Sequence, residues 1–117
     1  MFDASRTIAD GTIPVEAPEA TSPGRDELEL TAILHALSDP VRLRIVAELA
    51  AADDERRCGS FDLPVTKSTC THHFRVLREA GVISQRQEGA TRLNSLRRED
   101  LEARFPGLLD SVLSAAV

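Results

Sequence analysis

The chain has no tryptophan and no tyrosine, and its four aromatic side chains are all phenylalanine. Stacked bases and sugar rings need aromatic platforms, so this scarcity argues against stacking grooves and sugar-binding clefts. Only two cysteines, Cys58 and Cys70, occur in 117 residues. They are too few for a disulfide-stapled secreted fold and suit a reducing cytoplasm. No stretch is both long enough and free enough of charge to span a bilayer. The acidic N-terminus has no basic segment followed by an apolar one, which points away from a secretory signal. Also missing are a Gly-rich phosphate loop, a Ser/His/Asp order and paired carboxylates, so no catalytic constellation is read. Leu, Val, Ile and Ala must therefore build the core of one small domain.

The net charge of −5 would argue against nucleic acid, but its distribution does not. Residues 1–41 hold two basic and eight acidic side chains, and residues 99–117 hold one and four. Between them, residues 42–98 hold eleven basic and seven acidic side chains, a net of +4. A basic centre between acidic ends is an electrostatic footprint for a polyanion that the whole-chain sum conceals.

Residues 1–24, with Pro14, Pro18 and Pro23 and no apolar period, read as a flexible acidic tail ahead of a domain at 25–117. Leu30, Ile33, Leu34 and Leu37 then lie on one helical face. Ser38-Asp39-Pro40 restarts the chain, with Asp39 placed to cap and Pro40 suited to a first helical position. The second helix carries Leu43, Val46, Ala47 and Ala50. A short element at 58–63 follows, limited by Gly59 and Pro64. Thr66 is placed to cap a third helix, Val65 to pack on Cys70, and Gly81 to end it in a left-handed turn. Residues 82–87 and 91–96 flank Glu88-Gly89-Ala90 and read as a β-hairpin. From Arg98 the chain is helical again, with Pro106-Gly107 expected to kink or split it.

The third helix carries the functional signal. Ser68, Thr71, His72 and Arg75 form a stripe opposite Cys70, Phe74 and Leu77, with Lys67 beside it at the N-terminus. All can donate to phosphates or base edges, the free amides of a helix start favour phosphate, and an arginine is well shaped to grip guanine. No carboxylate interrupts the stripe before Glu79, and Arg86, Arg92, Arg97 and Arg98 follow. Helix, short helix, turn, helix and hairpin is the order of a winged helix-turn-helix: mainly α, with a small β-hairpin.

Residues 36–46, ALSDPVRLRIV, and 68–83, STCTHHFRVLREAGVI, together with Arg86-Gln87-Glu88-Gly89, resemble the opening, recognition helix and wing turn of the ArsR/SmtB repressors. The resemblance implies a homodimeric winged-helix repressor that leaves its operator when a signal binds. It assigns DNA contacts to Lys67, Ser68, Thr71, His72 and Arg75, with Arg86 or Arg92 on the wing. Two features depart from the pattern. The first helix of the motif is shortened to 58–63, and Asn94 stands where an aromatic is often found.

The family's metal sites are not matched. Where a Cys-x-Cys pair would stand, the chain has Cys58-Gly59-Ser60, and its C-terminal helix offers Glu102 and Asp110 without His or Cys. No metal and no cofactor are therefore expected. Arg56 and Arg57 beside Cys58 would favour its thiolate, and a Cys58–Cys70 pair would pin the loop to the recognition helix. Cys70 reads more simply as a small buried hydrophobe. Adjacent His72 and His73 point about 100° apart and cannot chelate together. His73 is expected to be packed near the wing, and His35 to be exposed.

The expectation is a cytoplasmic repressor with double-stranded DNA, an inverted-repeat operator, as its partner and no membrane association. Its homodimer surface would combine Leu30, Ile33, Leu34 and Leu37 with Leu108, Leu109, Val112 and Leu113, since these stripes exceed what one small core needs. The alternatives are a repressor responding to thiol oxidation or metalloids through Cys58, and a winged-helix interaction module that does not touch DNA.

Overall fold

Local capping sets the helices where the sequence marks them. The structure, a computed structural model, describes residues 22–52 and 54–116, without the side chain of Cys58. Helix α1 spans Leu30–Ala36 and α2 spans Pro40–Ala52. One carboxylate oxygen of Asp39 accepts from the amides of Val41 at 2.9 Å and Arg42 at 3.2 Å, satisfying donors that the start of α2 leaves free. Helix α3 covers Lys67–Ala80, with Thr66 Oγ1 accepting from the Thr69 amide and Gly81 closing it at φ 91°. A Cβ on Gly81 would collide with the Leu28 side chain, so this position needs glycine for space as well as for its backbone angle. Helices α4 (Arg98–Arg104) and α5 (Leu108–Ala116) are separate, split at Pro106-Gly107 as that dipeptide demands. No described helix is long and apolar enough to cross a membrane.

The sheet is larger than a hairpin. Strands β1 (Arg56–Arg57), β2 (Ile83–Glu88) and β3 (Thr91–Leu96) lie in the order β1-β3-β2, all antiparallel. Glu88 pairs with Thr91, so the wing turns through Gly89-Ala90 alone, one residue tighter than expected, with Gly89 at φ 62°. Strand β1 was not anticipated, and the short element expected at 58–63 is a 3-10 turn at Cys58–Ser60 followed by irregular chain. This is a winged helix-turn-helix, mainly α, with the first helix of the motif reduced to that turn.

The core joins Ile33 and Ala36 of α1, Ile45, Val46 and Leu49 of α2, Phe74 and Leu77 of α3, Val82 and Ile83, and Leu101 and Leu109 of the last helices. Phe61 joins it, with its ring centroid 5.4 Å from that of Phe74. Two expectations change here. Of the proposed tail, residues 1–21 lie outside the described residues, but Ser22 and Pro23 are packed. Ser22 Oγ donates to the Arg78 carbonyl at 3.3 Å, and Arg97 donates to Ser22 Oγ and to the Pro23 carbonyl. The ordered unit therefore begins before Arg25. The apolar stripes assigned to a dimer also divide: Ile33, Leu37 and Leu109 are core residues of the chain itself. Leu108, Val112 and Leu113 are partly buried against that core, while Leu30 and Leu34 stay 44% and 45% exposed.

Candidate nucleic-acid interface

Helix α3 is held by its inner face and leaves its outer face open. His73, Phe74, Leu77, Arg78 and Ala80 are buried. Lys67, Ser68, Thr71, His72 and Arg75 are exposed, all on the side the sequence pattern assigned to contact. Thr71 Oγ1 donates back to the Lys67 carbonyl at 3.1 Å. Glu79, the nearest carboxylate along the helix, lies at the far end and approaches Arg78 at 3.6 Å. The five side chains thus form one polar, cationic surface that begins at a helix N-terminus, where backbone amides and the dipole favour anions.

Two buried polar clusters fix the pose of α3. At its middle, the Arg42 guanidinium donates to the Ala36 carbonyl at 2.7 Å and the His35 carbonyl at 3.3 Å, and meets His73 Nδ1 at 3.1 Å. Guanidinium cannot accept a hydrogen bond, so Nδ1 must, and the ring proton sits on Nε2. That nitrogen faces Asp39 at 3.8 Å. Burial pushes the His73 pKa down, and Arg42 and His72 add to this against the opposing pull of Asp39. His73 is thus a neutral ring wedged between α2 and α3 rather than packed near the wing, because it faces the cap of α2. The role of Arg42 was not read from the sequence; its position just inside the Asp39-Pro40 cap was the available signal.

At the other end of α3, Arg78 Nη1 donates to Gln85 Oε1 at 3.0 Å, and Gln85 Nε2 donates to Asn94 Oδ1 at 2.6 Å. Asn94 Nδ2 donates in turn to the Arg56 carbonyl at 3.1 Å. Asn94 is fully buried. The residue that departs from the family pattern is the one tying α3, the wing and β1 together.

The wing cations are engaged within the chain. Arg86 makes a two-pronged contact with Glu55, at 2.7 and 2.8 Å, and approaches Glu88 at 3.6 Å. The hydrogen bond from Arg86 holds the Glu55 carboxyl below its ordinary value, and the same pair raises the Arg86 pKa. Arg92 reaches only Gln87 Oε1, at 3.4 Å. Arg97 binds Asp100, and Arg98 donates to the Ala50 carbonyl, so both serve the fold.

The remaining candidates are dispersed. His72 and His73 have ring centroids 5.8 Å apart, and His35 is exposed. Cys70 is half-buried and shares a cavity of about 290 Å³ with Val65, Phe61 and Phe74, while the side chain of Cys58 lies outside the described residues. Among the described residues, no three His, Cys, Asp or Glu side chains are grouped to hold a metal ion.

Residues 37–86, which run from the end of α1 into the wing, match a family described as a helix-turn-helix domain. The chain is 35% identical over 82 residues to YceK of Bacillus subtilis (strain 168), an uncharacterized HTH-type transcriptional regulator, covering 68% of this chain and 82% of that one. It also resembles the crystal structure of a possible transcriptional regulator for arsenical resistance, at 30% identity and a TM-score of 0.55, covering 71% of this chain and 84% of the other. With α3, its caps and its wing arranged as described, the chain belongs to the ArsR-type winged helix-turn-helix transcriptional regulators.

Proposed function

We propose that the protein is a cytoplasmic, homodimeric repressor that reads an inverted-repeat operator, with α3 in the major groove and the wing along the backbone. The observation that carries this reading is the outer face of α3. Lys67, Ser68, Thr71, His72 and Arg75 are exposed together, and neither Lys67 nor Arg75 has a side-chain partner among the described residues. Cations held without an internal partner on a rigid helix suit phosphate and base contacts, because no ion pair need be broken first. In this reading Arg75 reads a base and Lys67 a phosphate.

The dimer is supported by Leu30 and Leu34, exposed on α1, and by the apolar hollow that Leu30 shares with Phe105, Pro106 and Leu108. A two-fold pairing there would set two α3 helices about one DNA turn, roughly 34 Å, apart. The test is fluorescence anisotropy on the chain's own upstream duplex and on a shuffled duplex across a salt series. Tight binding to the first that falls steeply with salt is expected. Binding to neither duplex would favour the protein-interaction module instead.

A further inference from the structure

One arginine outside α3 shares the properties of the reading cations. Arg57, at the end of β1, is exposed and has no side-chain hydrogen bond or ion pair among the described residues. Its neighbour Arg56 is committed inward, bonded to Glu48 and Ser60 and stacked 4.2 Å over the Phe61 ring. Arg57 lines a groove of about 280 Å³ with Gly59, Ala90, Thr91 and Arg92.

The groove exists because β1 stops opposite Leu93, which leaves the outer edge of β3 uncovered from Arg92 to Thr91. Gly59 adds no side chain to fill it, and a Cβ there would meet nothing within 4 Å. Among the described residues, no carboxylate lines the groove. Gly59 also lines the neighbouring cavity that holds Lys67 and Thr71, so the groove adjoins the N-terminal half of α3.

We infer that Arg57 and Arg92 form a seat for a phosphate of the DNA backbone beside the half-site, and that Arg57, not Arg86, carries the wing-side charge contact. This rests on the DNA-binding reading above. Two arginines lining one groove, with Arg92 held only by Gln87 at 3.4 Å, match the planar, multiply donating recognition that phosphate oxygens favour. Arg86, clamped by both oxygens of Glu55, would have to surrender that pair to do the same.

The test uses the full chain on the same two duplexes, with R57A, R57Q, R57K and R86A compared over a salt series after thermal melts confirm folding. R57A should weaken both duplexes alike and reduce the log–log salt slope by about one per subunit. R57K should restore the slope while binding less tightly than wild type, and R86A should leave the slope near wild type. R57Q repeats the charge loss should alanine disturb β1. If R57A and R57Q keep the full slope while wild-type binding remains steeply salt-dependent, the phosphate seat is overturned and the DNA reading stands. Wild-type binding that ignores salt would overturn both.

Discussion

Helix α3 and the wing spend their cations differently. On α3, Lys67 and Arg75 stand exposed with no side-chain partner among the described residues, whereas on the wing Arg86 is neutralised by Glu55 and Glu88. They are also held differently: α3 adds the apolar contacts of Phe74 and Leu77 to its polar ties, whereas the wing is tied to α3 and β1 through the buried chain Arg78–Gln85–Asn94–Arg56. A basic stretch read from sequence therefore overstates the charge available to a partner. Of the arginines in residues 42–98, Arg42, Arg44, Arg56, Arg78, Arg86, Arg92, Arg97 and Arg98 all bind within the chain, Arg92 only to Gln87. Position, rather than count, marks the interface.

The contrast can be broken most forcefully at Phe74. Phe74→Ala removes a ring that is 2% exposed and should cost about 3–5 kcal/mol, read as a lower urea midpoint, with DNA binding lost as α3 loosens. A loss below about 1 kcal/mol would mean that the site collapses around the gap. At Asn94 the same logic tests the polar anchor. Asn94→Ala leaves Gln85 and the Arg56 carbonyl without their partner and should cost about 1–3 kcal/mol. Hydrogen exchange should then quicken in β1, β2 and β3 while α3 stays protected; equal loosening of α3 would show that one anchor serves both.

Arg75→Ala separates reading from folding. Binding to the upstream duplex should weaken by roughly 1–3 kcal/mol with the melting temperature unchanged. Equal weakening on the shuffled duplex would make Arg75 a phosphate contact instead. Acidification probes the wedge behind α3. Burial lowers the His73 pKa from its ordinary 6.5, so the unfolded chain binds that proton more readily than the native one. Stability from His73 should be complete above about pH 6.5 and lost as pH falls through the lower native value. Asp39, also lowered despite its burial because backbone amides bind it, would act only below its ordinary 3.8. Urea midpoints should drop as pH falls below about 6.5, and His73→Gln should flatten that drop; an unchanged profile would show that another group titrates there.

The smallest change is expected at Glu55. Glu55→Gln frees Arg86, so the wing should come to resemble the helix: the salt dependence of DNA binding steepens, while stability hardly moves because the pair is exposed. An unaltered slope would place Arg86 away from the duplex even when it is unpaired.

The helices were legible because their signals are local. Asp39 caps amides two and three residues on, Thr66 caps the amide three residues on in α3, and the left-handed turn at Gly81 follows from its own backbone freedom, whatever Leu28 adds. The exposed stripe of α3 followed from periodicity, since apolar residues at helical spacing leave the other face to water. Strand β1 had no such signal: two arginines carry no alternation, and they pair with Leu93 and Asn94 of β3, where Asn94, thirty-eight residues later, also reaches the Arg56 carbonyl. His73 was misplaced for a similar reason, since its partner Arg42 lies thirty-one residues earlier on another helix.

The sequence by itself determined the helices, their caps, the hairpin and the exposed polar face of α3, because each depends on neighbours within a few residues along the chain. Only the tertiary structure decided which apolar residues enter the core, which leucines stay outside, where His73 sits and which arginines remain unpaired. Those outcomes depend on which groups meet after the chain has closed on itself, and local pattern does not encode the partner.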